Sequence, residues 1–419
     1  MNTMEKSVIA ASLAFGLSTS GLAATLPSFE GDVTFTQNAS RLVEIGYTLA
    51  DTNAVVTVDI LTNGVSIGEA NFCNNMYGEV NRLVRPGAHK IYWRPDWDWP
   101  GHKFVNGEVT AKLRAWPEDD PPPYMILDIG GSSVPEYRTS AEAVPGGVNS
   151  DVYKTSKLIF KRIYASGKNW RLGALDPSLE NAGKNVPYTA TFSQDYYMQV
   201  FLMTDRQVVL LGRNSYYSAA DRARTDLTDD PDMCPAVAVN MVSIRGAKDS
   251  YNWPKNGHDV DMSNSLCGKI RSRTGVEVDL PTEAQWETAC RAGTLTASYL
   301  GNTVDDPLLS DCWPGVPYLS RVGSAAPNPW GIYGMLAQRF ALVLDWYAER
   351  TEDDGTVKVD PTGPDSGTYR VLKSGCGTAT WAAIHSAART GYNGIDFNEA
   401  SAWDRSYYAF RLAAPAVAK

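Results

Sequence analysis

Apart from one short run near its N-terminus, the 419-residue sequence contains no hydrophobic stretch that approaches the length of a membrane-spanning helix. It also contains no long basic run and no internal repeat at the periods of solenoid proteins. The net charge of -9 argues against a nucleic-acid or anionic-membrane partner, because either would require a basic surface. Hydrophobic residues make up 43% and charged residues 20%, which is typical of a soluble globular protein of two to three domains.

Cysteine and histidine are scarce and widely spaced. The four histidines form no HxH or HxxxH pair, which argues against a histidine-rich metal site. No two cysteines form a CxxC pair, and their spacing shows no disulfide framework. Disulfides and buried free thiols therefore both remain open for the six cysteines, which are Cys73, Cys234, Cys267, Cys290, Cys312 and Cys376.

The N-terminus has the pattern of a secretory signal. Lys6 precedes the apolar run 8–17, and small residues follow up to Ala23 and Ala24. We expect a signal peptide over residues 1–24, cleaved near Ala23, and a mature protein that is secreted, periplasmic or on the cell surface. The alternative is a buried N-terminal helix.

The remaining sequence divides into two predicted domains. Residues 30–118 alternate apolar and polar positions in short segments separated by Asn, Gly and Pro, which predicts an immunoglobulin- or fibronectin-like β-sandwich. The run Pro121-Pro122-Pro123 breaks this pattern, so residues 119–151 are predicted to be a Pro- and Gly-rich linker. Residues 152–415 are predicted to form an α+β domain.

Two helices are predicted in the C-terminal domain. The segment 261–274 is predicted to be helical, with basic residues in its last turn. The second helix begins after Thr282, with Gln285 three residues later as a capping box, and ends at Gly293. Trp286 and Cys290 then share one face.

Five ordered motifs in the last third of the chain resemble a known family. They are VDLPTEAQWETACRAG (278–293), PNPWGIYGM (327–335), DWY (345–347), RVLKSG (370–375) and YAFRLA (408–413). Together they resemble the formylglycine-generating-enzyme, or sulfatase-modifying-factor, domain. The resemblance implies a variant of the C-type-lectin fold. It also implies, for active members, copper-dependent oxidation of a sulfatase cysteine to formylglycine.

The sequence departs from the family where its metals bind. The family's calcium element G-N-V-W-E-W corresponds here to residues 337–342, where Ala341 replaces the carboxylate and Arg339 brings a positive charge. Apolar packing of Phe340, Leu342 and Leu344 is expected instead. Active members bind copper(I) with two cysteines, but segment 373–389 contains only Cys376, at the family's serine position. We therefore expect neither copper nor calcium at the family positions, and no catalytic residue is assigned. A calcium site elsewhere stays open, for example in the acidic loop 352–354, although a solvated turn is favoured there.

Aromatic and small polar residues occupy the segment that should carry the chemistry. Their composition is typical of a binding surface that combines rigid aromatic contacts with adaptable hydrogen bonds. The segment resembles that of variable proteins from diversity-generating retroelements, which display ligand-binding residues on this fold. The predicted ligand contacts are Trp381, His385, Tyr392, Asn393, Phe397, Trp403, Asp404, Arg405 and Tyr407.

The sequence thus favours a macromolecular or glycan ligand without catalysis and leaves the oligomeric state open. Two alternatives remain. The first is a catalytically silent relative whose aromatic residues pack internally. The second is the copper-dependent oxidase itself.

Overall fold

The structure is a computed structural model, and most of the chain is described in it. The described residues are 26–102, 108–179, 181–217, 230–237, 239–246, 252–302, 320–336, 338–375, 384–392 and 408–419. The predicted signal peptide lies outside these ranges, as do Cys312 and Cys376. Within them, no helix combines the length and apolar character needed to cross a bilayer.

Two antiparallel sheets form the N-terminal part. One has the strand order β1-β2-β7-β5, and the other has the order β4-β3-β6 with β8 also paired to β3. Alternate residues of β2 are buried, and they share one hydrophobic core with β3 and β7. The strands are β1 (Ser28–Gln37), β2 (Val43–Ala50), β3 (Ala54–Thr62), β4 (Val65–Ser66), β5 (Met76–Gly78), β6 (Leu83–Val84), β7 (Gly87–Trp93) and β8 (Val109–Trp116). The immunoglobulin- or fibronectin-like assignment of these sheets stays a prediction.

The segment predicted to be a linker differs in the structure. It contains β9 (Tyr124–Asp128) and β10 (Glu136–Arg138), and β9 pairs with β11 (Lys157–Ile163) inside the C-terminal domain. The physical reason is the apolar run that follows the prolines, since Met125, Ile126 and Leu127 are almost completely buried. The prolines are fixed to the C-terminal domain by hydrogen bonds: Arg162 donates to the Pro121 carbonyl, and Tyr197 donates to the Pro122 carbonyl. The sheet of the C-terminal domain therefore begins well before residue 152.

Three small sheets and short helices make up the described part of the C-terminal domain. The sheets have the orders β10-β9-β11-β14-β20, β12-β13-β16 and β18-β17-β15-β19. The further strands are β12 (Asn169–Leu172), β13 (Tyr188–Thr191), β14 (Tyr196–Gln199), β15 (Phe340–Trp346), β16 (Val357–Val359), β17 (Arg370–Lys373), β18 (Arg389–Tyr392), β19 (Tyr408–Phe410) and β20 (Ala413–Pro415). The described α-helices are α1 (Pro95–Asp98), α2 (Val152–Thr155), α3 (Asp205–Leu210), α4 (Met241–Arg245), α5 (Leu266–Thr274) and α6 (Glu283–Arg291).

Helix α6 confirms the capping prediction. The Thr282 side chain accepts a hydrogen bond from the Gln285 amide, and the Gln285 side chain accepts one from the Thr282 amide. Trp286 and Cys290 are both fully buried on one face. The helix ends at Arg291, and Ala292 adopts the left-handed conformation before Gly293.

Helix α5 is shorter than predicted. It begins at Leu266 because the Ser265 side chain caps the Gly268 amide. The Asp261 carboxylate instead accepts hydrogen bonds from the Ser263 and Asn264 amides, which closes a turn before the helix.

Candidate functional site

The β18-β17-β15-β19 sheet determines where the predicted contact segments attach. Lys373 at the end of β17 pairs with Ala341 of β15 and with Arg389 at the start of β18. Tyr408 at the start of β19 pairs with Phe340 at the start of β15. The end of β17 and the starts of β18, β15 and β19 therefore all lie at one end of the sheet.

Two connecting segments carry the predicted contact residues. The first segment runs from the end of β17 to the start of β18 and contains Trp381 and His385. The second runs from the end of β18 to the start of β19 and contains the predicted contacts from Asn393 to Tyr407. Three of the four junctions between these segments and the strands therefore lie at one sheet end, which we call the presenting end.

The structure describes only two of the nine predicted contact residues. His385 is buried, with 3% of its surface exposed, and Tyr392 is described only by its backbone, as the last residue of β18. The other seven predicted contacts lie outside the described residues: Trp381, Asn393, Phe397, Trp403, Asp404, Arg405 and Tyr407.

A cavity of about 380 Å³ lies beside the presenting end. His385, Ser374 and Phe340 line it, together with Tyr347 and Arg389. The Arg389 guanidinium lies over the Tyr347 ring, 4.8 Å from its centroid. Aromatic, cationic and imidazole groups therefore border one concave surface.

Buried charges anchor the strands of the presenting end to helix α6. The Lys373 ammonium donates to Glu287 Oε2 at 3.0 Å and to Glu283 Oε1 at 3.4 Å. Arg389 Nη2 donates to Glu283 Oε2 at 2.9 Å, and Arg291 Nε donates to Glu287 Oε1 at 3.0 Å. We call Lys373, Glu283, Glu287, Arg389 and Arg291 the charge cluster; it ties β17 and β18 to α6.

The cluster keeps both of its carboxylates ionised. Burial by itself raises the pKa of Glu287, but Lys373 and Arg291 outweigh it and hold that pKa at about 2. Burial likewise opposes ionisation of Glu283, and Arg389 and Lys373 still lower its pKa. The sequence reasoning missed this cluster, although two glutamates four residues apart on one buried helix face were the available signal.

Asp345 of the DWY motif is a buried carboxylate outside the charge cluster. Its Oδ2 accepts a hydrogen bond from the Glu283 amide at 2.7 Å, which joins β15 to the start of α6. Burial first, then the neighbouring Glu283 charge, raise the pKa of Asp345 to about 7, and the hydrogen bond from the Glu283 amide and the charges of Arg389 and Arg350 only partly offset this. The folded state therefore favours the protonated carboxyl below about pH 7.

We predict that Asp345→Asn stabilises the protein more as the pH rises. Between the ordinary value of 3.8 and about 7, the unfolded state loses the Asp345 proton while the folded state keeps it, so the free energy of unfolding falls with increasing pH. Asparagine is neutral and can still accept from the Glu283 amide. The expected gain is small at pH 4.5 and on the order of 1–4 kcal/mol at pH 8.5. Thermal unfolding at both pH values measures it, with the exposed Glu349→Gln as control, and equal shifts at the two pH values would contradict it.

The residues at the family's calcium element pack largely as expected. Leu342 and Leu344 are buried in the domain core, and Phe340 packs against it. The Gln338 amide donates to the Arg321 carbonyl at 3.2 Å. The element therefore contributes packing and a loop contact in this chain.

Cys376 lies outside the described residues, and among those described Cys290 is a thiol close to this region. Cys290 is fully buried. Burial raises the pKa of Cys290 to about 12, so its thiol is protonated at neutral pH. Cys73 and Cys267 are also buried and form no disulfide, which answers for them the question left open by the sequence.

Comparison with known proteins identifies the family. A family profile described as “Sulfatase-modifying factor enzyme 1-like domain” matches residues 165–405, more than half of the chain. The chain therefore belongs to this family, as its motifs indicated.

Individual relatives share moderate identity. A formylglycine-generating enzyme from Thermomonospora curvata is 34% identical over 113 residues, which span 23% of this chain and only 37% of that enzyme. The formylglycine-generating enzyme of Bos taurus is 28% identical over 282 residues, 58% of this chain and 72% of the relative. The solved structure of Treponema denticola variable protein 1 aligns with a TM-score of 0.46 and 20% identity, and covers 62% of this chain and 95% of its own.

Proposed function

We propose that this chain is a secreted ligand-binding protein that displays its aromatic-rich C-terminal segments on a formylglycine-generating-enzyme scaffold. The observation that carries the proposal is the presenting end, where three of the four segment junctions adjoin one sheet end. Segments attached at one sheet end can supply contacts to one ligand.

The composition of these segments supports binding. Trp403 and Tyr407 offer large aromatic contact area at a low cost in conformational entropy, and Trp381 adds a third such side chain. Asp404 and Arg405 offer charged hydrogen-bonding groups between them. Trp, Tyr and Arg are also the residues that most often dominate the binding energy of interfaces.

The charge cluster supports the proposal because it fixes the strands that flank the first segment. Binding is tighter when the contact residues are held in place before the ligand arrives, because less ordering entropy is then lost. Lys373 and Arg389, which flank the first segment, are fixed to Glu283 of helix α6. The scaffold thus offers a fixed base for segments of varied sequence.

The ligand in this proposal is a macromolecule or a glycan outside the cell. Export rests on the signal pattern over residues 1–24, and the low content of basic residues makes nucleic acid a poor fit. The N-terminal sheets would act as an immunoglobulin- or fibronectin-like module that carries the binding domain.

Alanine at both Trp403 and Tyr407 should weaken binding at least about thirtyfold, since two aromatic contacts in an interface each contribute on the order of 1–2 kcal/mol. The measurement is a screen of the purified full-length protein on a glycan array and a panel of extracellular proteins, followed by titration of each hit. Trp97→Ala in the N-terminal module, where Trp97 is exposed, is the matched control. Hits that the double variant binds as tightly as the unaltered protein would count against the assignment, as would loss of its cooperative unfolding.

Copper-dependent oxidation of a sulfatase cysteine is the second candidate. Family membership and the two enzyme relatives favour it. The thiols do not, because segment 373–389 contains only Cys376 and the adjoining Cys290 is held as a neutral thiol. We therefore place binding first and propose that the domain works without copper or calcium at the family positions.

A further inference from the structure

A second concave surface lies next to the presenting end. This acidic groove has a volume of about 700 Å³ and is bordered by strand β16 and by the loop that contains Glu352, Asp353 and Asp354. Seven carboxylates line it, against three basic groups. Arg389 is common to this groove and to the cavity beside His385.

Some of these carboxylates are neutralised within the molecule and others are not. Rim ion pairs join Glu349 to Lys184 at 2.7 Å, Asp353 to Arg171 at 2.8 Å, and Asp354 to Lys358 at 2.5 Å. In the described part of the chain, no basic nitrogen lies within 4.0 Å of the carboxylates of Asp345, Glu352 or Asp360. The groove therefore has an excess of negative charge that is not paired internally.

Asp345 is the most unusual of these three groups. It lines the groove, yet only 2% of its surface is exposed, and its Oδ1 has no hydrogen-bond partner among the described residues. By contrast, the buried carboxylates of Asp279, Glu283 and Glu287 each contact a basic side chain within 3.0 Å. Burial without a cation within 4.0 Å keeps this carboxyl protonated up to about pH 7, and above that pH its unpaired charge beside a groove favours a basic partner from outside.

One wall of the groove is an open strand edge. Strand β16 is the last strand of the β12-β13-β16 sheet, and its outer edge has no strand partner in the described chain. Val357 and Val359 line the groove and are 46% and 65% exposed. An open edge with exposed apolar side chains is the surface to which an extended peptide adds as a further strand.

We propose that the acidic groove binds an extended peptide segment of a partner protein, with a lysine or arginine of that segment directed to Asp345. The excess negative charge complements a basic side chain, and the edge of β16 supplies main-chain hydrogen bonds. A small cation would use the carboxylates alone and leave the strand edge and both valines without a role. In the sequence, Asp345, Val357 and Val359 lie outside the C-terminal aromatic segments.

Fluorescence anisotropy with two labelled heptapeptides tests the proposal. One is Thr-Val-Thr-Lys-Thr-Val-Thr, and its partner has Gln in place of Lys. At pH 8.5, where Asp345 is ionised, the full-length protein should bind the Lys peptide about tenfold more tightly, the size expected for one hydrogen bond between charged groups. Asp345→Asn should bind both peptides equally, whereas the matched Glu349→Gln should keep the preference.

Further variants distinguish the contribution of charge from that of apolar contact. Val357→Thr combined with Val359→Thr should weaken both peptides equally, because it removes apolar contact area without changing charge. The Trp403 and Tyr407 double alanine variant should leave the preference unchanged. Asp345→Asn is expected to be at least as stable as the unaltered protein, so unfolding does not account for a lost preference.

Three results would overturn the proposal. The first is equal affinity of the unaltered protein for the two peptides, or no binding of the Lys peptide up to about 1 mM, a concentration that corresponds to roughly 4 kcal/mol of binding free energy. The second is a Lys preference that survives in Asp345→Asn. The third is competition by spermidine or calcium at concentrations as low as those of the peptide, which would assign the groove to a free cation.

Discussion

Replacing Lys373 with methionine should destabilise the C-terminal domain by about 3–5 kcal/mol. Lys373 is completely buried, and its ammonium contacts both Glu283 and Glu287. Methionine fills a similar volume but removes the ammonium, so the buried carboxylates of Glu283 and Glu287 are less completely neutralised. Arg389 and Arg291 remain, so a value near the lower limit is expected.

Thermal unfolding measures this loss as a decrease in Tm of roughly 10 °C, at about 2–4 °C per kcal/mol for a domain of this size. The control is Lys358→Met, which removes an exposed ion pair with Asp354 and should cost at most about 1 kcal/mol. If the two variants lost the same stability, the charge cluster would not be the anchor of the presenting end.

Replacing Trp286 with alanine should cost about 3–5 kcal/mol. The Trp286 ring is fully buried in the core that packs α6 against β12, β13 and β15. Its removal leaves a cavity under the Lys373 ammonium, which lies 5.7 Å from the ring centroid. Urea denaturation should show a lower midpoint for the C-terminal domain.

The matched control for Trp286 is Trp97→Ala, since Trp97 is 66% exposed on the N-terminal module. Its effect should stay within about 0.5 kcal/mol. A second comparison is Trp286→Phe, which retains most of the buried area and should recover a large part of the loss. Equal losses of stability for Trp286→Ala and Trp97→Ala would show that the core between α6 and the strands β12, β13 and β15 does not depend on the Trp286 ring.

Local sequence signals predicted the elements that are determined locally. The capping box of Thr282 and Gln285 depends on residues three apart, so the start of helix α6 could be predicted. The apolar side chains of Phe340, Leu342 and Leu344 could be read directly from the calcium-element segment, so their packing into the core could be predicted. Motif order along the chain was sufficient to indicate the family.

Features that depend on distant residues could not be predicted in this way. The three prolines indicated a linker, but whether the following strand is buried depends on its pairing with 157–161, about thirty residues further along the chain. The charge cluster joins Lys373 to Glu283 across 90 residues. Helix α5 begins later than the predicted residue 261 because Ser265 caps it.

The same limit applies to the two candidate surfaces. The sequence identified the aromatic segments near the C-terminus, but the presenting end results from the register of four strands. The DWY motif was recognised by resemblance, whereas the burial of Asp345 beside an open strand edge became visible only in three dimensions. The two surfaces adjoin at Arg389, so ligands at both could be held by one domain.

Incubation of the purified protein with copper(I), oxygen and a Cys-x-Pro-x-Arg peptide tests the central claim most directly, with mass spectrometry to detect the aldehyde product. We expect no more aldehyde than the Cys376→Ala variant gives, from a protein that remains folded, because segment 373–389 contains only one cysteine for the metal. Aldehyde that forms with the unaltered protein and is lost in Cys376→Ala would contradict a binding function without catalysis and would show that this scaffold is still an oxidase.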